Sequence, residues 1–185
     1  MNTNIRVYPC AFVALFATAA FAGTIHVRNF SQVDAHVYRG AAPSEAGLKD
    51  LRALHITIDL DLRERGKPEA RERAEAKQLG MKYINIGMPP LSAPTPGEVK
   101  RALAVLLAAD AGSGRVFVHC QHGRDRTGTV IACYRIEHDG WSNRRAFREA
   151  KQHGISWFER GMRSYIKHFR PITIQTAVAA SGTSR

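Results

Sequence analysis

The sequence predicts an α/β sandwich: a central mixed, mostly parallel sheet of about four to five strands flanked by helices. Three observations carry this. Short apolar runs with a strand period alternate with segments of helical period along most of the chain. Helix-capping residues stand at several of the junctions between them. The chain has 185 residues, 44% of them hydrophobic, which is enough for one domain with a real core but hardly for two.

Taken in order, Val37 to Arg39 reads as a short strand, and Ser44 after Pro43 can cap a helix carrying Leu48, Leu51 and Leu54. Ile56, Ile58, Leu60 and Leu62 alternate with polar residues, the period of a strand. A second helix, about Glu69 to Leu79, ends at Gly80; its acids and bases alternate as a solvated face would. Tyr83-Ile84-Asn85-Ile86 is the next strand. Thr95-Pro96-Gly97-Glu98 is a capping box with proline at the first helical position, opening a helix with Val99, Leu103 and Leu106 on one face.

Val116-Phe117-Val118 reads as a buried strand, and Val130 to Tyr134 as the first turns of a helix. After Gly140 the pattern is helical to about Phe169, with Ser142 as a cap. Met162, Tyr165, Ile166 and Phe169 make one face of the last helix, which Pro171 stops. The domain so defined covers residues 23–175, and a small, polar, loose tail follows at 176–185.

Residues 1–22 read as a signal peptide. Arg6 supplies a positive start, Ala11 to Ala20 an apolar stretch, and Ala20-Phe21-Ala22 a cleavage site before Gly23. The apolar stretch is short of the roughly 20 residues a stable membrane span needs. Export to a periplasmic or secreted location is therefore expected. Of three cysteines, Cys10 leaves with this segment; Cys133 falls about two turns up a helix from Cys120 and is expected in the core.

The formal charge is +11. Such a balance suits nucleic acid, an anionic membrane or a phosphorylated substrate. Aromatic residues do not interleave with the basic ones as a stacking platform requires, so nucleic acid is excluded as a partner. No metal-ligand spacing is evident and no cofactor is expected; a monomer is expected.

The chemistry lies in the ten residues His119-Cys120-Gln121-His122-Gly123-Arg124-Asp125-Arg126-Thr127-Gly128, between a strand and a helix. There backbone N–H groups converge on an anion. Gln121 to Arg126 would surround a phosphate, and Gly123 lets the backbone turn tightly toward it. A cysteine in that setting ionises well below the free value of about 8.5 and can attack phosphorus. Arg126 offers a planar fork for two phosphate oxygens. Thr127 can place a hydroxyl near the sulfur, and His119 can bond nearby backbone and hold the loop in shape.

This stretch resembles the His-Cys-x-x-Gly-x-x-Arg-Ser/Thr signature of the cysteine-dependent protein tyrosine phosphatase superfamily. Asn29-Phe30, Val37-Tyr38-Arg39-Gly40 with Pro43, Leu62-Arg63 and Gly140-Trp141 are similar to small bacterial dual-specificity phosphatases, so the likeness covers about residues 29–169. It implies a phosphomonoester hydrolase working through a phosphocysteine on phosphotyrosine or mixed phosphoprotein substrates. His122 and Arg124 would also suit a further phosphate on an inositol or lipid head group. A rhodanese-like sulfurtransferase and a non-catalytic phospholigand-binding module are the other classes such a loop allows.

The familiar members carry an aspartate on a mobile loop before the cysteine, yet Gly87 to Pro96 holds no acid. Asp125-Arg126-Thr127 looks like members in which the loop aspartate serves as general acid. Asp125 could instead be a plain helix N-cap, and Asp61, near the end of a strand, is the reserve candidate.

Overall fold

A computed structural model describes residues 24–172. Among these, the elements are β1 (Ser31–Gln32), β2 (Val37–Ala41), α1 (Glu45–Ala53), β3 (Ile56–Asp61), α2 (Lys67–Gln78), β4 (Lys82–Asn85), α3 (Pro96–Ala108), β5 (Arg115–Cys120), α4 (Asp125–Glu137), α5 (Asn143–Gln152) and α6 (Arg160–His168). The sheet order is β1-β2-β5-β3-β4. Only β1 is antiparallel to its neighbour; β2, β5, β3 and β4 run parallel. The last strand in the sequence thus lies in the centre, with Cys120 beside Ala41 and His119 beside Asp61. The order of strands reverses there, where open α/β sheets place their ligands. The signal segment 1–22 and the tail 176–185 lie outside the described residues.

The caps form as the sequence requires. Ser44 accepts the Gly47 N–H at 3.2 Å, Ser142 the Arg145 N–H at 3.3 Å, and Thr95 and Glu98 close their capping box. Helix α4 is buried over most of its length because α3, α5 and α6 pack around it. Cys133 is a free, fully buried thiol in that layer, and burial pushes its pKa up.

Three expectations are corrected. The strand at 56–62 is buried on both faces rather than polar on one, with Asp59 and Asp61 inaccessible, because a central parallel strand is covered by helices on both sides. An irregularity between Ile56 and Ile58 turns Ile56 to the opposite face, where it packs with Leu48, Leu51 and Phe117 instead of with Ile58 and Leu60. Helix α2 is not solvated all round: Glu69 and Glu72 are buried.

Candidate active site

Strand β5 ends on Cys120, residues 121–124 make the loop, and α4 starts at Asp125. The loop is held from outside by its carbonyls. Arg39 Nη2 and Asn29 Nδ2 each donate to the Gly123 carbonyl at 2.9 Å, and Asn29 also reaches the His122 carbonyl at 3.5 Å. Gly123 has φ +68°, and a side chain there would collide with the backbone of Gly40 and Ala41, so glycine is required on two counts.

The N–H groups of His122 and Thr127 are thereby left facing the Cys120 sulfur. Cys120 is 2% exposed. Burial raises its pKa, but the Thr127 hydroxyl and N–H, the Arg126 charge and the His122 N–H together outweigh burial and lower it below the usual thiol range. The Thr127 hydroxyl is buried and has no other partner among the described residues. Beneath the loop lies Arg39, 1% exposed, whose pKa burial pulls down to about 10 although Glu149 and Cys120 favour its charge. It remains cationic at neutral pH. Its Nε and Nη1 have no hydrogen-bond partner among the described residues.

Arg126 is half-buried and donates from Nη1 to the Met88 carbonyl at 3.3 Å, which parks the guanidinium against the 86–95 loop. Gln121, His122 and Arg124 are exposed at the mouth, and the stem of Arg124 lies beside Gly154. A cleft of about 260 Å³ opens here, lined by Arg63, Glu64, Pro68, Glu69, Pro90, Gln121 and Arg126. The structure thus brings the His122 N–H, Arg126 and Thr127 to Cys120, with Gln121 and Arg126 lining the cleft and Arg124 turned toward Gly154.

Asp125 is not the N-cap. Arg124 holds that position, and Asp125, the first helical residue, accepts the Ser156 N–H at 2.6 Å through Oδ1, tying the 153–159 loop to the cradle. Its Oδ2 makes no hydrogen bond among the described residues. Asp61 is withdrawn as a proton donor. It is fully buried, accepts from the Arg63 N–H and guanidinium at 2.7 to 3.0 Å and from the Tyr83 hydroxyl at 2.7 Å. Burial raises its pKa, but Arg63, His119 and Tyr83 prevail and keep it ionised.

His119 does not hold the loop through backbone. Its Nε2 lies 3.1 Å from Asp59 Oδ1 and 2.9 Å from Glu72 Oε1, and its Nδ1 lies 3.9 Å from Asp61 Oδ1. Desolvation opposes the charged ring, yet these carboxylates lift its pKa well above the ordinary value. Among the described residues, Asp59, Glu72 and His119 are also the group whose donors could converge on a metal ion. Arg63 Nη2 already sits 2.7 Å from Glu72 Oε2, so the protein supplies a cation of its own to this nest.

Sequence reading missed Glu159. It is buried, its Oε2 has no hydrogen-bond partner among the described residues, and burial and then Asp125 raise its pKa against the opposing Leu91 N–H and Arg126. No local pattern marks it, since it enters from the loop before α6. Arg39 and Asn29 were legible only as part of a resemblance; an arginine inside an apolar strand is the signal that could have singled out the first.

A thiol of lowered pKa at the carboxyl end of a central parallel strand, facing inward N–H groups and an arginine, defines the cysteine-dependent phosphatase class. A model of the tyrosine phosphatase family matches residues 24–180, and the chain belongs to that family as a dual-specificity-like member. It is 32% identical over 111 residues to the inositol diphosphatase DSP4 of Arabidopsis thaliana, covering 58% of this chain and 54% of that one. The human phosphatidylglycerophosphatase and protein-tyrosine phosphatase 1 is 27% identical over 179 residues, covering 91% and 80%. The chain spans about half the length of the first curated relatives it matches. Among solved structures, TpbA of Pseudomonas aeruginosa superposes with a TM-score of 0.67 at 25% identity over 77% of this chain and 86% of that one. The Saccharomyces cerevisiae PP-IP phosphatase SIW14 core superposes at 0.69 with 23% identity over 80% and 89%, a likeness of fold.

Proposed function

We propose that this protein hydrolyses phosphomonoesters through a phosphocysteine on Cys120, with phosphotyrosine or mixed phosphoprotein substrates. The observation that carries the reading is the lowered thiol of Cys120 at the focus of the His122 and Thr127 N–H groups and Arg126. The thiolate forms an S–P bond as the ester P–O bond breaks, Arg126 binds two oxygens of the flattening phosphoryl group, and Asp125 gives its proton to the departing oxygen. Water then attacks phosphorus, returns a proton to Asp125 and releases phosphate and the thiolate, with the Thr127 hydroxyl supporting the sulfur. The Pseudomonas aeruginosa protein TpbA, crystallised as a cysteine-to-serine variant in complex with pTyr, supports the aryl substrate.

A second reading is an inositol polyphosphate or phosphoinositide phosphatase. The exposed Arg124 and His122 at the mouth and the likeness to inositol diphosphatases favour it. The N-terminal segment supports export to the periplasm or beyond, with action as a monomer. Replacing Cys120 by Ser should reduce turnover of para-nitrophenyl phosphate to background while preserving binding of a phosphate analogue, because a hydroxyl there has no comparable ionised form. Substantial turnover by Cys120→Ser would overturn the mechanism. A phosphate-release panel of phosphotyrosine peptides, phosphoserine peptides and inositol polyphosphates separates the two substrate readings.

A further inference from the structure

Among the described residues, the large hydrophobic side chains left exposed are Leu91 at 71%, Trp157 at 81% and Phe158 at 53%. Scattered singly they would need no explanation. They are not scattered. Leu91 belongs to the 86–95 loop and the other two to the 153–159 loop, and these loops touch: the Leu91 N–H faces Glu159, and Gly161 abuts the Ala93 backbone. Each loop also reaches the cradle, through Met88 to Arg126 and through Ser156 to Asp125. The two loops that carry these side chains therefore meet beside the cradle, with Trp157 and Phe158 in edge contact at 5.9 Å. Leu91 is held there at φ +62°, a conformation that residues with a Cβ rarely adopt.

We propose that the rim these loops form docks the protein on an anionic lipid bilayer, with Trp157, Phe158 and Leu91 entering the boundary between headgroups and acyl chains. Charge on the same part of the chain fits that occupant. Residues 143–170 hold eight Lys and Arg against two Glu, a net of +6 within the chain's +11. Both acids are withdrawn from the surface charge, Glu149 by its ion pair with Arg135 and Glu159 by burial. Helix α2 carries four basic and three acidic residues, so the positive excess lies on the segment that holds the aromatic pair. Arg160 follows the aromatic pair directly and Arg124 lies beside Gly154 in the same loop; both are exposed. An apolar tip flanked by cations is how peripheral proteins meet anionic membranes.

A lip for an aryl phosphate ester would turn its apolar faces into the cleft. The cleft lining includes Pro90 but neither aromatic residue, and both face solvent instead. Docking does not depend on the phosphatase reading, since none of the three side chains belongs to the cradle.

The test uses the full chain with vesicles of phosphatidylcholine, alone or with about one third phosphatidylglycerol. It compares the parent with Leu91→Asn/Trp157→Ser/Phe158→Ser; both carry the same N-terminal apolar segment, so that segment cancels. The parent should sediment with the anionic vesicles at least about tenfold more strongly than with neutral ones, and less so in high salt. The triple variant should lose about tenfold or more of that binding while turning over para-nitrophenyl phosphate at the parent rate. In a Trp141→Phe background, Trp157 emission should shift to the blue with anionic vesicles only. Equal sedimentation of parent and variant, or unmoved Trp157 emission, overturns the proposal. So does emission already blue in buffer, with doubled mass if a second copy covers the rim or single mass if the N-terminal segment does. A raised KM for phosphotyrosine peptides with unchanged vesicle binding would make the rim a peptide lip and likewise overturn it. Loss of para-nitrophenyl phosphate turnover by the parent would sink the phosphatase reading while leaving the sedimentation result standing.

Discussion

His119 and Cys120 are neighbours at the end of β5, and the two faces of the sheet treat them in opposite ways. Cys120 lies with Val116 and Val118 against α4; His119, with Phe117 stacked on it at 5.3 Å, faces the carboxylates of β3 and α2. Burial alone would neutralise both groups. Instead the thiol is lowered by N–H groups, a hydroxyl and Arg126, while the imidazole is raised by Asp59 and Glu72. A buried charge thus survives wherever its counter-charges sit within hydrogen-bond reach. The two nests differ in origin: the cradle draws on residues 120–127 and backbone dipoles, whereas the floor is assembled from distant acids.

The largest expected effect is on the cradle side. Arg126→Lys keeps the positive charge but loses the fork, and kcat/KM for any phosphomonoester should fall by about 10²- to 10³-fold, the usual cost of a lost transition-state donor. A fall of less than tenfold would mean that charge alone, without geometry, makes the cradle. Steady-state kinetics with phenyl phosphate measure it.

Asp125→Asn comes next. The amide still accepts the Ser156 N–H through Oδ1, so the loop stays tied. Phenyl phosphate turnover should drop by about 10²-fold while para-nitrophenyl phosphate changes little, because only the poor leaving group needs a proton. Equal effects on both esters would leave Asp125 as a tether and direct attention to Glu159, whose carboxyl is held toward its protonated form.

On the floor the expected effect is on stability. His119→Gln strands Asp59 without its cation and leaves Glu72 to Arg63 alone, at a cost of about 3 to 5 kcal/mol, or roughly 6 to 20 °C in Tm by calorimetry. The folded-state pKa of His119 lies above its unfolded value, so its stabilisation is complete below about pH 6.5 and is lost as pH rises through the folded value. The parent should therefore lose stability at alkaline pH in a way that His119→Gln does not. A pH-independent difference in Tm would show that the ring serves by packing rather than by charge.

The smallest effect sharpens the contrast. Thr127→Ala removes one source of the lowered Cys120 thiol, so that pKa rises and the acidic limb of the kcat/KM profile moves to higher pH, with a rate loss of only about tenfold at neutrality. An unmoved limb would assign the thiolate to Arg126 and the N–H groups alone.

By itself the sequence determined the alternation of strands and helices, the caps at Ser44, Thr95 and Ser142, and the whole inner ring from Cys120 to Thr127. All of these depend on residues a few positions apart, whose hydrogen bonds and periodicity are local. Tertiary structure decided the rest. It placed β5 between β2 and β3, and a central parallel strand then buried the acids of β3 that alternation alone had left in solvent. It brought Arg39 and Asn29 to the Gly123 carbonyl across 84 and 94 residues, Ser156 to Asp125 across 31, and Asp59 and Glu72 to His119. The two-residue strand β1 exists only by pairing with β2. Loop closure over such separations is compensated by burial in the assembled core, and nothing within a short window of sequence records which distant partner supplies it.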